Sequence, residues 1–110
     1  MTKDYYTRYA AAVINYLLTR EHAIKRIIDS PARSAFVDVF MYQNYKDTKR
    51  RLEASAAAGM SLPAPADVVA SMLIGGTSHC IVSWFIADKK PCTAEKLLAD
   101  ISKLIDKILN

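Results

Sequence analysis

Glycine, proline and cysteine are all scarce in this chain, at three, four and two residues of its 110. There is no Asn-Gly or Asp-Gly pair and no sustained period-two alternation, so hairpins and strands have little to be built from. The expected fold is all-α. Two thiols, Cys80 and Cys92, make no disulfide framework, and neither has Cys or His partners at zinc-ligand spacing. No metal is expected. Paired carboxylates and a nucleophile motif are missing too, and His79 and Cys80 are adjacent rather than one helical turn apart. The chain is therefore expected not to be an enzyme and to need no cofactor. Its first residues, with Lys3 and Asp4 among them, lack the apolar run of a signal peptide, which makes a reducing cytoplasm the expected compartment.

The most telling absence is local. Residues 68–87 contain no Asp, Glu, Lys or Arg. A run of that length can span a bilayer. Ser71, Thr77, Ser78, His79 and Ser83 within it argue instead for a buried helix of a globular protein, and no membrane is expected. A helix apolar on nearly every side needs cover all round, and a small domain supplies that poorly alone. After Lys89-Lys90-Pro91-Cys92 a second helix carries Leu97, Leu98, Ile101, Leu104, Ile105, Ile108 and Leu109 at helical spacing. The two read as an antiparallel hairpin that pairs with its copy in a homodimer, an isologous four-helix arrangement.

What is present supports a globular single domain over 1–110: 52% of residues are apolar and 24% charged. The formal charge of +4 is modest, and its densest piece, Lys46, Lys49, Arg50 and Arg51, reads as a solvated helix face rather than a nucleic-acid footprint. Ahead of the hairpin the spacing predicts three helices, over about 4–19 with Asp4 as cap, 20–29, and 31–58 started by Ser30-Pro31. Gly59 is placed to stop the third, Leu62-Pro63-Ala64-Pro65 is a stiff connector, and Thr93 is placed to cap the fifth. The total is a bundle of about five helices. Ser71, Gly75 and Ser78 or His79 follow one another along one side of the fourth, which reads first as a close helix–helix approach and second as space left for a ligand.

The stretch Ala56-Ala57-Ala58-Gly59-Met60-Ser61-Leu62-Pro63, then Ala66-Asp67-Val68-Val69-Ala70-Ser71-Met72-Leu73-Ile74-Gly75-Gly76, resembles the C-terminal regulatory domain of the tetracycline-repressor (TetR) family. So does Ser83-Trp84-Phe85-Ile86-Ala87-Asp88-Lys89-Lys90 followed by Thr93-Ala94-Glu95-Lys96-Leu97-Leu98, with the tryptophan near the end of the penultimate helix. The resemblance implies an effector-sensing and dimerisation domain of a transcriptional repressor. It implies a small apolar or aromatic effector held between the earlier helices and the penultimate one. It also implies DNA binding only through an N-terminal helix-turn-helix domain, of which these residues contain no counterpart.

On that reading Tyr9, Tyr16, Phe36, Phe40, Met41, Met72 and His79 are the expected ligand-binding residues, since effector pockets are mostly apolar and aromatic with a few polar ends. Trp84, Phe85, Leu97, Ile101, Leu104, Ile105 and Ile108 are the expected dimer interface. The principal alternative is a small helical adaptor or structural bundle that uses the same apolar faces and has no cavity.

Overall fold

The computed structural model describes residues 2–109, and every regular element in them is helical. The order is α1 (Thr2–Thr19), α2 (Glu21–Ile28), α3 (Arg33–Ala57), α4 (Ala66–Ile86) and α5 (Ala94–Leu109). The helix ends follow local chemistry. At the end of α3 the Met60 amide donates to Ser55 (3.0 Å) and the Gly59 amide to Ala56 (3.1 Å), the paired bonds of a Schellman cap. Gly59 takes the left-handed φ of 108° this cap requires. Thr93 Oγ1 accepts from the Lys96 amide at 3.1 Å and starts α5 as expected.

The other starts differ from the sequence reading. Asp4 lies inside the first turn of α1 rather than capping it. The regular turns of α3 begin at Arg33; Ser30 Oγ accepts from the Ala32 amide (3.1 Å), the bond an N-cap makes, and Pro31 and Ala32 form the turn that leads into the helix.

The core is a spine drawn mainly from α1, α4 and α5, with Leu52 as the one member from α3. Tyr6, Ala10, Ile14 and Leu17 of α1 meet Val69, Leu73, Ile81, Trp84 and Phe85 of α4 and Ile101, Ile105 and Leu109 of α5. Ile24 and Ile28 of α2 close one end. Each large side chain removed from water here is worth about 1.5–3 kcal/mol. α5 lies mainly against α1 and α4 mainly against α3, so the last two helices are sequential neighbours whose principal packing partners are earlier helices.

The molecule is 43 × 28 × 18 Å. Its thin dimension is about two packed helices deep at interaxial distances of about 8–10 Å, too thin to wrap any helix on all sides. α4 accordingly buries Val69, Ala70, Leu73, Ile74, Ser78, Ile81, Trp84 and Phe85 and leaves Val68, Met72 and Ile86 exposed.

Two sets of polar contacts fasten this arrangement. Between α1 and α3, the Tyr5 hydroxyl donates to Asp47 (3.1 Å), which also accepts from Arg50 (2.8 Å) and Arg51 (3.0 Å). The Arg51 guanidinium in turn lies 3.9 Å from the centre of the Tyr5 ring. At the end of α4, Trp84 Nε1 donates to the Cys92 carbonyl at 2.8 Å, and Lys90 Nζ to the Phe85 carbonyl at 3.2 Å. Lys90 also sits 5.3 Å from the Trp84 ring centre and 3.9 Å from Glu21 of α2.

Candidate functional site

α3 buries fully only Thr48 and Leu52, both in its second half. Its first half is as apolar as a core helix, yet Phe36, Val37, Phe40 and Met41 are only part-buried and Val39 and Tyr42 are exposed. Between this half, α1 and α4 lies a cavity of about 350 Å³. α1 contributes Tyr9, Ala12, Val13, Tyr16 and Leu17; α2 contributes Ile28; α3 contributes Phe36, Val37, Phe40 and Met41; α4 contributes Ser78 and Val82. The Phe36 and Phe40 rings stack at 6.4 Å along its α3 wall. The volume falls at the lower end of the roughly 300–1,000 Å³ typical of small-molecule pockets, and the lining has the expected character, mostly carbon with very few polar ends.

Two of the lining residues, Ser78 and Tyr9, carry polar groups that are themselves buried. Ser78 is buried at 8% exposure on the α4 wall. Tyr9 Oη is a buried side-chain oxygen with no hydrogen-bond partner among the described residues. Burial holds the Tyr9 phenol neutral, pushing its pKa well above the ordinary tyrosine value. The Tyr9 ring also borders a void of about 10 Å³ beside Thr77 and Ile105, so it stands as the partition between the cavity and the core.

Beside the cavity, a groove of about 320 Å³ runs between the start of α3 and the middle of α4. Arg33, Ser34 and Asp38 line it from α3, and Gly75 and His79 from α4. Val37, Met41, Ser78 and Val82 border both spaces. Among the described residues neither Arg33 nor Asp38 makes an ion pair. A Cβ added at Gly75 or Gly76 would meet no atom within 4 Å. A close helix–helix approach is therefore not what these glycines serve within the chain, and at Gly75 the missing side chain widens the groove.

Five of the seven residues expected at a ligand site, Tyr9, Tyr16, Phe36, Phe40 and Met41, line this one cavity. His79 lines the adjoining groove instead, exposed and 3.4 Å from the Ser83 hydroxyl. Met72 is 68% exposed and lies outside both spaces. It precedes Ser78 by six residues, which at 3.6 residues per turn rotates it about 120° away from the cavity wall.

Ser78 belongs to the small-residue stripe read as possible ligand space, while the residues that sequence reasoning missed, Ala12, Val13, Leu17, Ile28, Val37 and Val82, are all aliphatic. Nothing in a sequence marks such a residue as lining a space rather than filling one.

The expected interface residues divide by burial. Trp84, Phe85, Ile101 and Ile105 are at most 5% exposed within the single chain, so their own helices already cover them. Leu97 and Ile108 are part-buried, and Leu104 is 56% exposed.

In the basic cluster Arg50 and Arg51 are paired with Asp47, and Lys46 lies 5.0 Å from the Tyr42 ring centre. Among the described residues no three His, Cys, Asp or Glu side chains gather into a possible metal site. No protein-family model matches the chain, and neither do the curated proteins or solved structures with which it was compared.

Proposed function

We propose that this chain is an effector-binding domain that holds a small, largely apolar molecule in the cavity between α1, α3 and α4. In this reading it serves as the sensing and dimerisation module of a TetR-type repressor, and DNA is gripped by a separate helix-turn-helix domain. The observation that carries the proposal is the cavity itself. Four helices contribute aromatic and aliphatic side chains to one space of about 350 Å³, and the α3 segment forming its outer wall has no fully buried residue. A plain structural bundle gains stability by closing such a space, because each unfilled volume forfeits dispersion contacts.

The mechanism is population shift: an effector that contacts both α1 and the first half of α3 favours conformations in which those helices hold a fixed separation. On the last two helices, exposed Val68, Met72 and Ile86 of α4 and Leu104 of α5 are apolar residues available to meet a second copy.

The test is thermal denaturation with a panel of small aromatic and aliphatic compounds, on the wild type and on Val82→Phe, which places a ring in the cavity. Ligands specific to the folded state raise the melting temperature, by an amount set by their concentration over Kd. Stabilisation in the wild type that vanishes in the variant supports the reading. A panel without effect favours the adaptor bundle. Light scattering tests dimerisation separately: a wild-type dimer that becomes monomeric on Leu104→Asp supports the interface, and a wild-type monomer removes it.

A further inference from the structure

The cavity is closed to charge, while the groove beside it offers charge that nothing in the chain uses. Arg33 stands in the first turn of α3, exposed and without an ion pair among the described residues. That turn has no acidic residue, and its cap position, Ala32, provides no side-chain hydrogen bond. The helix dipole and the guanidinium therefore add up to one positive end, and the dipole alone favours an anion there. Ser34 and His79 border the same groove with further polar atoms. Asp38 is its one acidic lining residue and opposes an anion. The groove and the cavity meet along Val37, Met41, Ser78 and Val82. Of these, Met41 is unbranched and readily changes rotamer.

We infer that cavity and groove are two halves of one site for a short amphiphilic carboxylate. Its hydrocarbon body fills the cavity, and its carboxylate lies in the groove against Arg33. The inference rests on the effector-binding reading above and specifies the ligand's chemical class. Size follows from volume: benzene occupies an engineered apolar cavity of about 150 Å³, so about 350 Å³ admits a body of about a dozen non-hydrogen atoms. Arg is suited to the head group because its planar fork binds a carboxylate through two parallel hydrogen bonds.

The experiment is calorimetric titration of the full chain at pH 7 with three probes of equal chain length, decanoate, decanol and decylamine. Decanoate should bind about fivefold more tightly than decanol, the scale of an exposed ion pair. Arg33→Gln should remove that margin and leave decanol unchanged, and Asp38→Asn should widen it. Val82→Phe should abolish binding of all three, with its melting curve confirming that the variant is folded.

Equal binding of decanoate and decanol, a margin that survives Arg33→Gln, or a preference for decylamine overturns the carboxylate inference while the cavity reading stands. Binding of no probe, or binding indifferent to Val82→Phe, overturns both.

Discussion

Asp47 is the residue on which most polar chemistry converges. Its carboxylate accepts from Arg50, Arg51 and Tyr5, and the two arginines hold its pKa down to about 2, from an ordinary value of 3.8. A carboxyl whose folded-state pKa lies below its unfolded-state value contributes stability that is fully present above the unfolded value. That contribution is lost as pH falls through the folded one. The window here is pH 4 to 2. Because the pair is more than one-third exposed, solvent screening limits the contribution to about 1 kcal/mol. Asp47→Asn should therefore melt a few degrees below wild type at pH 6, with most of that difference gone by pH 2, as followed by circular dichroism.

Tyr9 presents the opposite case, since its hydroxyl is buried without a hydrogen-bond partner among the described residues. A buried donor without a partner forfeits about 1–3 kcal/mol of solvation. Tyr9→Phe should leave the melting temperature of the unliganded protein unchanged or raise it. A drop of several degrees would show that the hydroxyl has a partner in solution.

At the scale of elements, α4 illustrates what glycine costs. Gly76 is exposed within this helix, and no atom crowds the place where a Cβ would sit. Gly76→Ala should stabilise the protein by about 1 kcal/mol, the helix-propensity difference, and raise the melting temperature by several degrees. A loss of stability on that substitution would mean that another helix, from a second copy, approaches this face closely.

The helices themselves are legible in the sequence. Their apolar spacing, the stop at Gly59 and the cap at Thr93 depend on interactions within a few residues, which a linear chain displays directly. The start of α3 is legible only to within a turn: Ser30 makes its capping bond to the Ala32 amide, but Pro31 and Ala32 stay in a turn and the regular helix begins at Arg33. Packing partners are less legible still. Leu104 and Ile105 are adjacent aliphatic residues on one amphipathic helix, and their burial differs because α1 covers one side of it. The cavity is half visible. Aromatic residues crowding the start of α3 signal apolar surroundings, but Phe36 and Phe40 look the same in sequence whether they fill a core or face a gap.

For the whole molecule, the decisive dimension is the short one. A slab two helices deep gives every long helix an outer face, and these faces carry exposed large apolar side chains: Leu18 on α1, Val39 and Tyr42 on α3, Val68 and Met72 on α4, and Leu104 on α5. Hydrophobic cover is thus concentrated along the central spine and thins toward the α2–α3 end, where the cavity lies.

The uneven burial of α3 gives it the mechanics of a lever. Its second half buries Thr48 and Leu52 and is tied to α1 by the Tyr5–Asp47–Arg51 cluster, and its first half, with no fully buried residue, runs over the cavity. Amides in residues 36–43 should exchange with deuterium faster than those in 46–55, since local opening there exposes few buried contacts. A molecule lodged beneath the first half would slow that exchange and leave the clamped half unchanged. A small occupant would thereby set the angle of a helix 25 residues long, and its effect would be greatest at Arg33, the end farthest from the pivot.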